Sequence, residues 1–296
     1  MRKLIGLALI SLLAVLGWGI VQVSIAQQST PQGNTARVAS EHMMSLHKDD
    51  APVPSGAIAQ APTEGISAET VTYGTLDGMD ITGYLARPAD ATEPLPGLIV
   101  IHEWWGLNEN IEAMTRMLAA EGYAALAVDL YGNQVAETPE TARSLVQSAL
   151  ENPDLLRENL RQAHDYLDTT LGAPKVGSIG WCFGGTWSLN AALTLPEQLD
   201  ATVIYYGGGI TTDPNALSAL EMPIQGHFGE LDDNPSPETV QQFEAALNDV
   251  GKSPEIYTYD NADHAFANPS GDRYNPEAAE FAWERTTKFL EEHLKG

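Results

Sequence analysis

The hydrophobic and polar positions change their period along this chain, and each change marks an element. A predominantly apolar run covers residues 4–23, and a polar stretch follows it. From Glu69 onward Val71 to Tyr73 and Ile81 to Leu85 alternate around Asp77-Gly78, which predicts a β-hairpin. The run Leu98-Ile99-Val100-Ile101 has no polar member, as expected of a central strand buried on both faces. Strand and helix then take turns: helix 110–121, strand 124–130, a long helical region 139–171 broken near Pro153, and strand 175–180. Helix 185–193, strand 201–206, strand 223–228, helix 238–250, strand 255–259 and helix 276–294 complete the pattern. Repeated β-then-α units with apolar strands predict an α/β fold, a mostly parallel central sheet with helices on both faces. Functional groups on such a sheet gather in loops beyond the carboxyl ends of the strands.

The first 66 residues stand apart. Arg2 and Lys3, the apolar run and Ser24-Ile25-Ala26 have the order of a secretory signal peptide, cleaved after Ala26 or retained as an N-terminal membrane anchor. In either case the folded part is exported, to the periplasm or as a secreted protein. Residues 27–66 are a polar, Pro/Ala-rich flexible segment containing Ala51-Pro52-Val53-Pro54-Ser55-Gly56, and one short helix is predicted over 35–48. His42, His47, Asp49 and Asp50 in that segment read as a solvated tail and not as metal ligands. Residues 67–296 form one domain.

Composition narrows the partners. A hydrophobic content of 43% can build a sizeable core, while a net charge of −25 repels phosphate backbones and anionic lipid. No nucleic acid is expected, and no membrane contact beyond an uncleaved anchor; nothing bears on oligomeric state. Cys182 is the one cysteine, so neither an internal disulfide nor a cysteine-based zinc site can form.

That cysteine stands in Gly180-Trp181-Cys182-Phe183-Gly184-Gly185, between a predicted strand and a predicted helix. The spacing is that of a G-x-S-x-G nucleophile elbow with cysteine in place of serine. A thiol on such a turn lies near the first amides of a helix and ionises more easily. A nucleophile needs a base and a carboxylate that orients the base. Of the histidines after Cys182, His293 ends the last helix and His227 lies inside a strand, which leaves His264 in a loop after a strand. For the acid, the loop after strand 223–228 offers Asp232, three residues past the turn glycine, and its neighbour Asp233. An oxyanion hole would take the N–H of Phe183 and a second N–H from His102-Glu103-Trp104-Trp105-Gly106, with Trp104 the candidate. Glu103, beside two tryptophans at a strand end, is costly to leave unpaired and belongs either to an ion pair or to the site. Trp105, Tyr131, Tyr205 and Tyr206 fall at strand ends and suggest a partly aromatic substrate pocket.

Taken together and in order, the cysteine elbow, the His102 to Gly106 turn, Asp129-Leu130-Tyr131, Tyr205-Tyr206-Gly207, Phe228-Gly229-Glu230-Leu231-Asp232 and His264-Ala265-Phe266 resemble the dienelactone hydrolase family. The resemblance covers roughly residues 67–294 and implies the α/β-hydrolase fold. It also implies hydrolysis of a small-molecule lactone or ester through a triad of Cys182, His264 and Asp232, with no metal or cofactor. The resemblance further implies that Glu103 takes the thiol proton when substrate arrives, the thiol being protonated at rest. One position departs from the pattern. Family members that act on dienelactone carry a carboxylate-binding arginine four residues after the histidine, where this chain has Asn268; Arg273 is near in sequence but is no motif match. A non-catalytic ligand-binding protein or a thiol redox sensor on the same fold is the alternative reading.

Overall fold

The computed structural model describes His47 and residues 61–296. The expected signal segment, the 35–48 helix other than His47, and the 51–56 linker lie outside the described residues. Strands β1 (Ile66–Leu76) and β2 (Met79–Pro88) form the predicted hairpin. Its two turn residues, Asp77 and Gly78, have φ of 50° and 79°, the left-handed geometry that a two-residue turn between twisted strands requires. Strand β1 starts at Ile66 and Ala61 is already buried, so the domain begins slightly before residue 67.

Six further strands follow: β3 (Gly97–Ile101), β4 (Ala124–Val128), β5 (Val176–Trp181), β6 (Ala201–Tyr205), β7 (Ile224–Gly229) and β8 (Glu255–Tyr259). The sheet runs β1-β2-β4-β3-β5-β6-β7-β8, antiparallel through β1, β2 and β4 and parallel from β4 onward. Every residue of β3 to β7 is buried, which is why these strands read as continuous apolar runs. Because β4 lies on one side of β3 and β5 on the other, the chain reverses its direction across the sheet at β3. The crevice for a ligand opens at such a switch point, between the loops after β3 and β5.

The helices are α1 (Glu109–Ala120), α2 (Pro139–Glu151), α3 (Pro153–Asp165), α4 (Phe183–Thr194), α5 (Pro214–Leu217), α6 (Pro237–Asp249) and α7 (Pro276–Leu290). Thr138, Asp213, Ser236 and Asn275 each cap a helix with the side chain and are each followed by proline. A capping acceptor plus a residue that lacks an N–H and has helical φ sets a sharp start. The predicted break at Pro153 is the α2/α3 boundary at Asn152. The strand expected to reach residue 130 stops at Val128, because the Asp129 carboxylate accepts from the N–H groups of Tyr131 (2.8 Å) and Asn133 and folds the chain into a turn. Among the described residues no helix is long and apolar enough to cross a membrane.

On β7, His227 is fully buried. Its Nδ1 pairs with the Tyr259 hydroxyl (2.8 Å), and its Nε2 with Gln225 Oε1 (2.8 Å) and Thr286 Oγ1 (3.0 Å). Burial, helped by the Arg285 charge, pushes its pKa down to about 3. The folded state therefore holds it neutral while the unfolded chain takes up a proton below about pH 6.5. Stability from this group is complete above that pH and is lost as the pH falls from about 6.5 toward 3. His227→Gln is expected to flatten the fall of the urea midpoint between pH 7 and pH 5 while lowering the midpoint at pH 7. An unchanged pH slope in the variant would contradict the assignment.

Candidate active site

Strand β5 delivers the chain to Cys182, and α4 starts at the next residue. Cys182 has φ 56° and ψ −117°, a conformation that costs a side-chain-bearing residue about 1–3 kcal/mol and persists only if its surroundings enforce it. The enforcement is visible: its N–H donates to the Tyr205 carbonyl (3.1 Å) and its carbonyl accepts from Thr186 N–H (3.1 Å). The glycines are steric necessities. A Cβ on Gly180 would run into the Gly184 backbone, and one on Gly184 would fall on the carbonyl oxygens of Ile101 and His102. Helix α4 can pack this close to β3 only without those atoms.

The base and acid expected from the loops meet beside the thiol. His264 Nδ1 and Asp232 Oδ2 are 2.8 Å apart, both side chains fully buried, and Asp232 Oδ1 accepts from Asn234 N–H (2.7 Å). Asp233, one residue on, is exposed. With Nδ1–H given to Asp232, the other ring nitrogen of His264 is the one available to the thiol. Burial opposes a charge on His264, but Asp232 and the Cys182 thiolate outweigh it and hold the ring protonated well above its ordinary range. Burial likewise pushes the Cys182 thiol up, and the His264 charge with N–H contacts from His264 and His47 reverses this and brings it down to about 6. Both shifts favour a thiolate–imidazolium pair, in the direction opposite to the expected thiol protonated at rest.

Around this pair, Glu103 is buried and its Oε2 accepts from Asn268 Nδ2 (2.7 Å). Asn268, the position expected to face substrate, thus also supports Glu103. The two line a cavity of about 20 Å³ together with Tyr206. The Phe183 N–H is among the first-turn amides of α4, which have no intrahelical acceptor. The Trp104 ring is buried against Trp105, with ring centroids 4.7 Å apart. Tyr131 packs on His102 and Phe183, and its hydroxyl, like that of Tyr206, is buried without a hydrogen-bond partner among the described residues. Tyr205 is a correction. Its hydroxyl bonds Thr286 (2.7 Å) and its ring lies 4.5 Å from His227, so it belongs to the core between the sheet and α7 and not to a substrate pocket. Strand β6 ends at Tyr205, and Tyr206, with φ 36°, turns its ring toward His264 instead.

Three contributors escaped the sequence reading. His102 donates Nδ1–H to the Glu103 carbonyl (2.6 Å) and accepts from Leu130 N–H at Nε2 (3.2 Å), tying the loops after β3 and β4 together. Asn159 on α3 donates to the Asp129 carbonyl (2.9 Å) and accepts from the Tyr73 hydroxyl (2.7 Å). The third is His47. Expected in a solvated tail, it is buried, with Nε2 at 4.0 Å from Cys182 Sγ and Nδ1 at 2.9 Å from Arg273. Its ring packs against Trp104, tilted by 42°. One ligand atom each from His47, Cys182 and His264 lies within 4.8 Å of the others, an N,N,S set of the kind zinc takes. Arginine can only donate, so its contact makes His47 Nδ1 an acceptor and leaves the proton on Nε2. The cluster therefore suits an N–H···S hydrogen bond better than a metal bond.

A nucleophile-type elbow at the end of a central parallel strand, with histidine and aspartate supplied by later loops, defines a hydrolase of the α/β-hydrolase fold. The dienelactone hydrolase family model matches residues 81–294, and the chain belongs to that family. A protein of Saccharolobus solfataricus whose name places it among the carboxymethylenebutenolidases is 34% identical, over 72% of this chain and 95% of its own length. A Bradyrhizobium protein named for a 2-oxo-3-(5-oxofuran-2-ylidene)propanoate lactonase activity is 32% identical, over 79% of this chain and 98% of its own length. Among solved structures, one titled as a dienelactone hydrolase of Klebsiella pneumoniae superposes with a TM-score of 0.68 at 28% identity, covering 76% of this chain and 98% of that one. The protein is a lactone or ester hydrolase.

Proposed function

We propose that this hydrolase cleaves lactones or small esters through Cys182, His264 and Asp232 by way of an acyl-thioester. The observation that carries the reading is the 2.8 Å bond between His264 Nδ1 and Asp232 Oδ2 beside a cysteine whose thiol is brought down to about 6. The Cys182 thiolate adds to the carbonyl carbon, and the carbonyl π electrons move to oxygen, where the N–H groups of Phe183 and Trp104 would receive the charge. Collapse re-forms the C=O and breaks the C–O bond to the leaving alkoxide, which takes the proton from His264 Nε2. Neutral His264 then takes a proton from water, hydroxide adds to the thioester, and breakage of the C–S bond releases the acid and returns the thiolate. Asp232 holds the ring in the tautomer both steps need. Glu103, held by Asn268, is placed to shape the acyl side of the pocket.

Asn268 offers no cation where relatives acting on dienelactone have arginine, and a net charge of −25 does not draw anions, which argues against dienelactone itself; the Arg273 guanidinium near the thiol is turned to His47 (2.9 Å). The N-terminal segment, with Arg2, Lys3, its apolar run and Ser24-Ile25-Ala26, supports an exported enzyme. Acid quenching of the protein during turnover of a nitrophenyl acetate should trap one acetyl group on Cys182, seen as a mass gain on the peptide that carries it. Turnover with no trapped acyl group at any quench time would refute the thioester route.

A further inference from the structure

His47 lies outside residues 81–294, the span that defines the family, yet only 2% of it is exposed. Its ring sits between Trp104 (centroids 4.8 Å) and His264 (4.9 Å), with Nε2 4.0 Å from Cys182 Sγ. Arg273 donates to Nδ1 and so aims the Nε2–H at the sulfur. That position has a second claimant. An ester carbonyl must come within about 3–3.5 Å of Sγ, with its oxygen toward the turn after β3 and its leaving group toward His264. An imidazole packed on Trp104 and His264 and touching the sulfur stands in that volume.

Exposure and volume agree with the overlap. Cys182 is 1% exposed and His264 0%, and the adjoining cavity of about 20 Å³ has room for about one water. Two larger hollows lie elsewhere, one of about 450 Å³ at the amino ends of β7 and β8 and one of about 390 Å³ between β8 and α7, and neither is lined by Cys182 or His264. We infer that His47 is a resident occupant of the substrate position, held there by Arg273 and Trp104, and that substrate reaches Cys182 only by displacing it. His47 thereby belongs to the specificity of the site, since acyl groups too weakly held to exchange with the imidazole are excluded.

The kinetic arm of the test rests on hydrolysis at Cys182, whereas the labelling arm needs only the thiol. In the full chain, His47→Ala is expected to raise the second-order rate of Cys182 alkylation by iodoacetamide at pH 9 about tenfold. Arg273→Gln, which loosens the same ring without removing it, should raise it severalfold. The KM for a nitrophenyl ester should fall by similar factors. Faster labelling in both variants supports the inference even if no ester is hydrolysed, an outcome that would sink the proposed function alone. Unchanged or slower labelling in both variants, with melting temperatures retained, would overturn it. A fall in kcat of tenfold or more in His47→Ala without faster labelling would also overturn it, because His47 would then be a proton donor and not an occupant.

Discussion

Cys182→Ala is expected to lower the turnover of an activated ester by about 10³-fold or more, to the level of the background reaction. In the proposed route the thiolate is the atom that bonds the acyl carbon, and the neighbouring imidazoles are poor substitutes: His264 Nδ1 is taken by Asp232 at 2.8 Å, and His47 Nδ1 by Arg273 at 2.9 Å. His264→Ala should lose as much, because it removes both the charge that keeps the thiol down and the group that protonates the leaving oxygen. The double variant should be no worse than either single one, since groups that act as a unit are not additive. Initial rates with nitrophenyl acetate, beside a circular-dichroism melt of each variant, make the measurement. Retained activity in either single variant with the fold intact would remove these residues from the mechanism.

The second large effect concerns stability. Gly184→Ala should cost about 3 kcal/mol or more, because its methyl group would enter the carbonyl oxygens of Ile101 and His102 and force α4 away from β3. Those two elements carry the proposed nucleophile and the expected oxyanion turn, so activity should fall with stability. Gly271→Ala is the control: its Cβ would meet nothing closer than 3.8 Å, and its urea midpoint should stay near that of the unaltered protein. A Gly184→Ala protein as stable as the control would refute the steric role of Gly184 at the elbow.

The elements were legible in the residues because their signals are local. The hairpin at Asp77-Gly78 is announced by its two turn residues, and the central strands by apolar runs that only a doubly covered sheet tolerates. The helix starts are announced by side-chain caps followed by proline. The spacing of Gly180, Cys182 and Gly184 is equally local, since a strand-to-helix turn of that curvature leaves no room for other side chains. Tyr205 and Tyr206 were not separable in this way: what divides them is that the Tyr205 hydroxyl is taken by Thr286, whereas the Tyr206 ring is 5.3 Å from His264.

By itself, then, the sequence determined the order of strands and helices, the elbow, and the loops from which a histidine and an acid would come. Only the tertiary structure decided between Asp232 and the exposed Asp233, joined Glu103 to Asn268, and brought His47 onto Cys182 from 135 residues away. The physical reason is that periodicity and turn chemistry report energies between near neighbours in the chain. Which of two adjacent carboxylates turns inward, or which distant imidazole fills a gap beside a tryptophan, is set by burial and hydrogen bonding summed over the whole packed domain.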